Sequence, residues 1–385
     1  MNMRIIDRSN IPAGARVFLR ADFNVAVQDG KVVDDFRIRK TLPTLDFLKG
    51  QGANVVMTSH IESAVKTDAK PSLRPIADAL NGLGFPCQFV ETIEEAAAMS
   101  AAQKLGFILL ENIRNYPGET SNDPAFAARL AALGDVYVND AFSVSHRAHA
   151  SIVGVPKLLP HYAGFQLALE VKNLSRAFDP SHPFLFILGG AKFDTKLPLV
   201  QKFLGKADDI FVGGALANDL FKAEGKEVGQ STVSPSKIDF GALLSDKKIM
   251  LPADVVVLEA GEQKALEPDA IPKDGKVLDA GPKTVAELGA KIQAAKFILW
   301  NGPLGNYENG YKEPTHELAR LIASATKNGV ESIVGGGDTL AAIAELKQSG
   351  GESLEDSFTF VSTGGGAMLD FLAQGTLPGI EALND

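Results

Sequence analysis

The feature that most constrains the fold is a short apolar run that stops abruptly at polar or glycine residues and is followed by a helix-like segment. Short runs rich in β-branched and aromatic residues are typical of strands buried on both faces. Strands that alternate with helices predict parallel sheets built from βαβ units. The apolar runs lie at 17–19, 55–57, 107–110, 136–138, 184–188, 210–212, 255–258, 297–300, 333–334 and 358–361. The helix-like segments include 75–82, 123–133, 198–205 and 316–329.

These strands are too many for one ordinary sheet, so the sequence predicts two doubly wound, Rossmann-like α/β domains. We place the first domain at 1–170 and the second at 171–370. The long segment 163–179, which ends in Asp179 and Pro180, is predicted to connect them.

The two halves of the chain differ in composition. Residues 1–180 hold 19 basic and 19 acidic side chains, so the whole net charge of −9 lies after residue 180. Eleven of the 12 arginines lie in the first part, whereas 26 of the 37 glycines lie in the second. We therefore expect two sites of different chemistry.

Several classes of protein are disfavoured. The sequence contains no stretch of about 18 uncharged apolar residues, so a membrane span is not expected. The first residues lack the apolar core of a signal peptide. The single cysteine, Cys87, fits a reducing compartment. The sequence contains no run of five basic residues, which disfavours nucleic-acid binding. We expect a cytoplasmic protein whose partners are neither membranes nor nucleic acids.

In the first half, charged and polar side chains follow the predicted strands. Ligands of open α/β sheets bind at the carboxyl ends of strands, which makes these positions candidates for a site. They include Arg20, Asp22, Asn24, His60, Arg114, Asn139 and Asp140.

Further basic residues lie in polar turns of the same half, namely Arg37, Arg39, Arg147, His146 and His149. A single arginine is most often part of a surface salt bridge, but a group of planar guanidinium ions favours a phosphate or carboxylate ligand. The two histidines could form a metal pair, yet no third acidic or thiolate ligand stands nearby. We favour neutralisation of a small anion.

In the second half, bare glycine turns follow the predicted strands, at 189–190, 213–214, 302, 335–337 and 364–366. Glycines at a strand-to-helix junction let backbone N–H groups approach a phosphate, and the helix N-terminus adds its positive end. One such turn often only relieves crowding, but several in one domain favour a nucleotide. Neither G-x-x-x-x-G-K-[ST] nor G-x-G-x-x-G is present.

Asp338 has two possible roles. An aspartate before Thr339 is typical of a helix cap. It could also hold Mg²⁺, which proteins bind with one or two carboxylates together with phosphate oxygens. Beside so many glycine turns, we favour the magnesium.

Lys192 and Lys196 follow the first glycine turn of this half at a spacing of four residues. On a helix they would share one face. Two such lysines usually lie on a solvated surface, but directly after Gly189 and Gly190 they favour a phosphate contact.

The motifs together resemble those of the phosphoglycerate kinase family over essentially the whole chain. In the first half they read RADFNV at 20–25, DDFRIR at 34–39, MTSH at 57–60, LENIR at 110–114, NDAF at 139–142 and HRAH at 146–149. In the second half they read LGGAK at 188–192, DAGPKT at 279–284, LWNGPLG at 299–305, GGGDT at 335–339 and STGGGA at 362–367.

The resemblance implies glycolytic phosphoryl transfer between 1,3-bisphosphoglycerate and MgADP, by a monomer of two domains joined by a hinge. It implies substrate binding by Asp22, Asn24, Arg37, His60, Arg114 and Arg147. It implies nucleotide binding by Lys196, Gly213, Gly214, Asn301, Glu308, Gly335, Gly336, Gly337, Asp338, Thr339, Gly364 and Gly365, with Glu308 on the ribose and Asp338 on Mg²⁺. The implied catalytic residues are Arg37, Lys192, Gly336 and Gly365, of which Arg37 and Lys192 would stabilise the transferring group.

The resemblance also implies that the C-terminal tail, about 371–385, returns to the first domain. The sequence departs from the family in two places. Where the family usually reads SHLGRP, this chain has Glu62 and Ser63 in place of glycine and arginine. Loss of one charged contact should cost about 1.5–3 kcal/mol of substrate binding unless Lys66 or Lys70 replaces it. Ala215 stands where the family has a third glycine.

The sequence offers two alternative functions. A dinucleotide-dependent oxidoreductase would need a G-x-G-x-x-G turn with an acidic residue about 20 positions later. A non-catalytic descendant that only binds nucleotide is suggested by Ser63. The presence of Arg37, Lys192 and Asp338 disfavours it.

Overall fold

The computed structural model describes residues 3–62, 70–102, 106–191, 193–235, 238–346 and 353–384. Contacts between residues divide the chain into two compact units. Unit 1 consists of Met1–Lys172 together with Gln374–Asp385, and unit 2 consists of Asn173–Ala373. Among the described residues, no helix has the length and apolar character needed to cross a membrane.

Unit 1 contains eight strands and six helices within its described residues, apart from the tail. The strands are β1 (Arg16–Arg20), β2 (Val27–Gln28), β3 (Lys31–Val32), β4 (Asn54–Thr58), β5 (Cys87–Val90), β6 (Gly106–Leu110), β7 (Val136–Asn139) and β8 (His161–Ala163). The helices are α1 (Phe36–Gly50), α2 (Arg74–Gly82), α3 (Ile93–Ala101), α4 (Pro117–Thr120), α5 (Pro124–Ala131) and α6 (Phe165–Ser175), which crosses into unit 2.

Six of these strands form one parallel sheet in the order β5-β6-β4-β1-β7-β8. Every residue of β4 and β7 is buried, as expected for a parallel sheet with helices on both faces. The chain continues from β1 to β4 on one side and later returns to β7 on the other. The ends of these three central strands therefore flank the point where the strand order reverses, which is where open α/β sheets bind ligands.

Unit 2 contains nine strands and seven helices within its described residues. The strands are β9 (Phe184–Leu188), β10 (Asp209–Val212), β11 (Ile249–Met250), β12 (Val255–Glu259), β13 (Glu262–Leu266), β14 (Lys276–Ala280), β15 (Phe297–Asn301), β16 (Glu331–Gly335) and β17 (Phe360–Ser362). The helices are α7 (Phe193–Leu204), α8 (Ala215–Ala223), α9 (Gly241–Leu244), α10 (Pro282–Ala294), α11 (Glu313–Lys327), α12 (Gly337–Glu345) and α13 (Gly366–Gln374).

The main sheet of unit 2 is also parallel and six-stranded, in the order β11-β10-β9-β15-β16-β17. All residues of β9 and β15 are buried. Phenylalanine rings fill the core beside them, and Phe184 meets Phe203 and Phe297 edge to face. The prediction of two doubly wound parallel sheets is confirmed.

One predicted strand has a different setting. The run 255–258 does not join the parallel sheet; as part of β12 it lies in a separate antiparallel sheet, in the order β13-β12-β14. Ala260 and Gly261 connect β12 to β13, and both have positive φ. Such a two-residue turn joins antiparallel strands, and it explains why this strand leaves the βαβ pattern.

The helix predicted at 198–205 begins earlier, at Phe193, so Pro198 lies inside α7 rather than at its start. The N–H of Phe193 donates to Ser234 Oγ (3.3 Å), and the Phe193 ring packs edge to face on Phe240 with centroids 4.8 Å apart. Burial of this ring places the start of α7 close to the end of β9.

The C-terminal tail packs on unit 1 through a short helix, α14 (Pro378–Glu381). Ile380 and Leu383 are buried there, and the N–H of Gly379 donates to the carbonyl oxygen of Ser145 (2.8 Å). A Cβ at Gly379 would lie 2.8 Å from Ile152 Cγ2 and from Ser145 Cβ. The tail is therefore part of the packed structure of unit 1.

Substitution Gly379→Ala should destabilise unit 1 by about 1–3 kcal/mol, because the added methyl group must displace packed neighbours. Gly50→Ala is the matched control, since nothing lies within 4 Å of a Cβ at Gly50. Denaturation followed by circular dichroism measures the difference. Equal midpoints for the two variants would contradict the packing of the tail.

Candidate functional site

Unit 1 gathers polar side chains where its central strands end. Asp22 follows β1, His60 follows β4 and Arg114 follows β6. Asp22 and His60 are buried, and Arg114 is about three-quarters buried. Residues far apart in the sequence meet here because the carboxyl ends of parallel strands share one edge of the sheet.

Arg37 joins this group from the first turn of α1. Its Nη1 lies 3.5 Å from Asp22 Oδ1 and donates to the carbonyl oxygen of Asn24 (3.2 Å). These two contacts place the guanidinium beside the end of β1 and keep it largely out of solvent. An arginine placed in this way can offer further N–H groups to an anion.

His60 has a defined tautomer in this arrangement. Its Nδ1 lies 3.3 Å from Nη2 of Arg20, which is fully buried. A guanidinium only donates, so Nδ1 is the acceptor and the ring proton lies on Nε2. Burial, followed by the positive charges of Arg20, Arg114 and Arg37, lowers the pKa of His60 well below its usual value. A neutral ring with one N–H can donate a hydrogen bond to an anionic ligand.

Glu62 also enters this site. Its Oε1 lies 3.4 Å from Arg114 Nη1, and its backbone N–H donates to Asn24 Oδ1 (3.0 Å). A carboxylate thus faces a guanidinium that was predicted to bind substrate. Ser63 and Lys66 lie outside the described residues, and Lys70 is exposed.

Arg147 is exposed, and it lies near enough to His149 to affect that ring electrostatically. Burial lowers the pKa of His149 to about 4, and the charges of Arg114, Arg20, Arg147 and His146 add to the effect. Arg147 therefore extends the positive field of the cluster. All six predicted substrate-binding residues belong to unit 1, and Asp22, Asn24, Arg37, His60 and Arg114 are joined by contacts or charge effects.

Unit 2 contains a cavity of about 740 Å³ at the carboxyl ends of its parallel strands. Its volume suits a nucleotide-sized ligand. The predicted nucleotide-binding residues that line it are Lys196, Gly214, Asn301, Glu308, Gly336, Gly337, Asp338 and Gly365. Ala215, which replaces a glycine of the family pattern, also lines the cavity.

Lys196 is buried in the wall of this cavity. Its Nζ donates to the carbonyl oxygen of Gly189 (2.5 Å). Burial lowers the pKa of Lys196 to about 8, while the charge of Asp338 opposes that shift. A lysine and a carboxylate thus face the same end of the cavity. Lys192 lies outside the described residues.

Asp338 does not cap a helix, because Gly336 occupies the N-cap position of α12. The Asp338 side chain is in the first turn of that helix and is exposed to the cavity. Gly336 has a φ of 109°, and its Cβ would lie 3.1 Å from Asn301 Nδ2. Glycine is therefore required to bring the start of α12 against Asn301.

Four predicted nucleotide-binding residues do not line the cavity: Gly213, Gly335, Thr339 and Gly364. Gly213, Gly335 and Thr339 support its wall from behind. A Cβ at Gly213 would lie 2.7 Å from the Phe211 ring, and a Cβ at Gly335 would collide with Met368 Sδ. Thr339 Oγ1 accepts a hydrogen bond from the N–H of Gly302 (2.8 Å), and Gly302 does line the cavity.

Sequence reasoning missed the part of the wall that comes from the antiparallel sheet. Val255, Lys276, Leu278 and Asp279 line the cavity from β12 and β14. Apolar wall residues carry no distinctive motif, so the motif at 279–284 is the only sequence signal for this part of the cavity wall. Burial raises the pKa of Asp279 to about 7, although the N–H of Ala280 opposes the shift.

Comparison with known proteins decides the family. The sequence model of the phosphoglycerate kinase family matches residues 7–375. The chain belongs to this family. The phosphoglycerate kinases of Thermus thermophilus and Herpetosiphon aurantiacus are 42% and 41% identical to it over 391 residues, which cover 97% of this chain and of each relative.

Solved structures agree with the sequence comparison. The structure of phosphoglycerate kinase from Coxiella burnetii has a TM-score of 0.80 at 34% identity and covers 97% of each chain. That from Pyrococcus horikoshii OT3 has a TM-score of 0.83 at 28% identity and covers 99% of this chain and 98% of its own. The fold of this chain is that of phosphoglycerate kinases.

Membership identifies the chain as an enzyme of glycolysis. It catalyses reversible phosphoryl transfer between 1,3-bisphosphoglycerate and ADP to give 3-phosphoglycerate and ATP. The partners of the chain are therefore small-molecule substrates. The alternative of a dinucleotide-dependent oxidoreductase is wrong.

If Lys196 binds the nucleotide as the resemblance implies, the affinity for ADP should fall as the pH rises above about 8, because Lys196 then loses its proton and its charge. Loss of a charged hydrogen bond of about 1.5–3 kcal/mol weakens binding roughly tenfold or more. Calorimetric titration between pH 7 and 9.5 measures the effect. The Lys196→Met variant should bind ADP weakly at every pH. The Lys222→Met variant, which lacks an exposed lysine outside the cavity, should keep the pH dependence of the wild type. If the affinity of the wild type for ADP does not change over this pH range, Lys196 does not have this role.

Proposed function

We propose that unit 1 binds the three-carbon acid phosphate and that unit 2 binds the nucleotide with its magnesium ion. The observation that carries this proposal is the contrast between the two sites. Unit 1 offers guanidinium groups and a neutral histidine, whereas unit 2 offers glycine turns, one buried lysine and one carboxylate. Each set of groups suits one of the two substrates.

In unit 1, the proposed ligands of 3-phosphoglycerate are Asp22, Asn24, Arg37, His60, Arg114 and Arg147. The guanidinium groups would pair with the carboxylate and phosphate of this ligand, because planar donors match such oxygens in pairs. His60 would donate from Nε2. Asp22 holds Arg37 and can accept a hydrogen bond from the substrate hydroxyl group.

In unit 2, Lys196 and the backbone N–H groups at the start of α12 would hold the nucleotide phosphates, since helix N-termini favour anions. Glu308, which is exposed at the cavity, would accept hydrogen bonds from the ribose hydroxyl groups. Val255 and Leu278 give an apolar surface on which the base can pack. Gly213, Gly335, Thr339 and Gly364 would support these contacts from behind the wall.

Asp338 fits a magnesium ion that arrives with the nucleotide. Its carboxylate is exposed at the cavity near the buried Lys196, so a hard cation there would have both a carboxylate and phosphate oxygens as ligands. When bound, Mg²⁺ neutralises charge on the phosphate oxygens. The chain itself positions the phosphates through Lys196 and the glycine backbone.

Phosphoryl transfer requires in-line positioning and dispersed positive charge rather than a covalent nucleophile. Because the two substrates are assigned to different units, we propose that a hinge motion brings them together and excludes water before transfer. Arg37, Lys192 and the N–H groups of Gly336 and Gly365 would then stabilise the transferring group. We also propose that the enzyme acts as a monomer in the cytoplasm.

A coupled assay tests the whole proposal. Formation of 1,3-bisphosphoglycerate from 3-phosphoglycerate and MgATP is followed through its reduction by an added dehydrogenase. Turnover is expected. Absence of turnover would contradict the proposal.

Asp338→Asn should raise the Mg²⁺ concentration needed for half-maximal activity by about tenfold or more, since a loss of about 1.4 kcal/mol is enough for that factor. The amide has the shape of the carboxylate but lacks its charge. Activity is measured against free Mg²⁺ at fixed ATP. Asp274→Asn, which changes an exposed carboxylate of unit 2 outside the cavity, is the control. The same Mg²⁺ dependence in both variants would remove Asp338 from this role.

Lys192→Ala should lower kcat at least about a hundredfold while changing the affinity for ADP little, because a contact made mainly in the transition state affects the rate and not ground-state binding. Steady-state kinetics and ADP titration of the same preparation measure the two effects. A normal kcat would exclude the proposed role of Lys192.

A further inference from the structure

The contact between Glu62 and Arg114 places a carboxylate of the chain itself on the proposed substrate site. Glu62 Oε1 lies 3.4 Å from Arg114 Nη1. The Glu62 side chain is 64% exposed and that of Arg114 only 26%. The carboxylate thus approaches the guanidinium from the solvent side, as an anionic ligand would.

The backbone at Ile61 and Glu62 is held by hydrogen bonds to two neighbouring loops. The N–H of Glu62 donates to Asn24 Oδ1 (3.0 Å). Asn112 Nδ2 donates to the carbonyl oxygen of Ile61 (2.8 Å), and the N–H of Ile61 donates to Asn112 Oδ1 (3.3 Å). Two side chains that follow β1 and β6 therefore determine where Glu62 stands, and its position beside Arg114 is built into the site.

The Nε of Arg114 is a further donor of this guanidinium. Its Nε is buried and has no hydrogen-bond partner within the part of the chain that the structure describes. A buried donor without a partner is costly. Within the described residues, the contact with Glu62 thus uses only part of the hydrogen-bonding capacity of the guanidinium, and at 3.4 Å it is rather long.

We propose that Glu62 sets the affinity of the substrate site, as an internal anion that occupies Arg114 until the anionic substrate displaces it. This inference rests on the proposed role of Arg114 in binding 3-phosphoglycerate. Ion pairs exposed to this degree are weak, so a substrate that also engages Arg37 and His60 can displace the carboxylate. Glu62 weakens the affinity for 3-phosphoglycerate by about two- to fivefold, the range of such exposed pairs.

The same carboxylate acts on every anion that uses Arg114. A small inorganic anion that relies on Arg114 must displace Glu62, and its affinity falls by about the same factor as that of the substrate. The substrate also engages Arg37 and His60, so it still binds, whereas sulfate or phosphate, which is held less strongly from the start, is left with very little affinity.

The variant Glu62→Gln tests the proposal, because it keeps the shape and the backbone hydrogen bond and removes only the charge. We expect a KM for 3-phosphoglycerate about two- to fivefold lower than in the wild type. The KM for MgATP should not change. Sulfate should inhibit the variant at lower concentrations than the wild type, and both differences should shrink in high salt.

Glu94→Gln is the matched control. Glu94 is an exposed glutamate of unit 1 that lies in the first turn of α3 and pairs with Arg129 at 2.6 Å rather than with a proposed substrate ligand. The Glu94→Gln variant loses the same charge as Glu62→Gln and a comparable ion pair. The KM and the sulfate inhibition of this variant should equal those of the wild type.

A double variant locates the effect. In an Arg114→Gln background, adding Glu62→Gln should no longer lower the KM, because the carboxylate then has no guanidinium to occupy. A full gain in that background would overturn the proposal. An unchanged KM and unchanged sulfate inhibition in Glu62→Gln alone would also overturn it.

Failure of the inference and failure of the proposed site give different results. If Arg114→Gln leaves the KM for 3-phosphoglycerate unchanged, the proposed substrate site is wrong, and the inference fails with it. If Arg114→Gln raises the KM but Glu62→Gln has no effect, only the inference fails. Calorimetric binding of 3-phosphoglycerate to the full chain gives the same comparison without relying on turnover.

Discussion

Parallel pairing of buried strands is the constraint on which the rest of this structure depends. Two neighbouring parallel strands cannot be joined by a tight turn, so each connection crosses the sheet, usually as a helix. The strands of each parallel sheet therefore all end at the same edge of that sheet. In unit 1 that edge brings Asp22, His60 and Arg114 together, and in unit 2 it brings together the glycine turns around the cavity.

The edge of unit 1 is stabilised by a buried polar network rather than by apolar packing alone. Arg20 is fully buried at the end of β1, where it donates to Ser151 Oγ (3.0 Å) and to the carbonyl oxygen of Ala21 (2.6 Å). Ser151 in turn donates to the buried Glu119 (2.7 Å). Burial of such charges is costly unless each one is paired. The network satisfies Arg20 and at the same time orients the His60 ring.

Much of this architecture could be predicted from the sequence, because parallel strands and glycine turns depend on local residue patterns. The setting of β12 could not, since its apolar run resembles the others and only the turn at Ala260 and Gly261 makes it antiparallel. The contact between Glu62 and Arg114 joins residues 52 positions apart. Motifs likewise could not separate Gly336, which lines the cavity, from Gly335, which packs behind it.

The return of the C-terminal tail to unit 1 has a consequence for the order in which the protein can be completed. Domains generally fold in the order of their synthesis, from the N-terminus. Here, however, Ile380 and Leu383 fill positions in unit 1 and are made after the whole of unit 2. Unit 2 has its whole sequence before unit 1 does. Unit 1 is therefore completed after unit 2, so a chain that stops before Ile380 lacks part of the unit that holds Arg37 and His60.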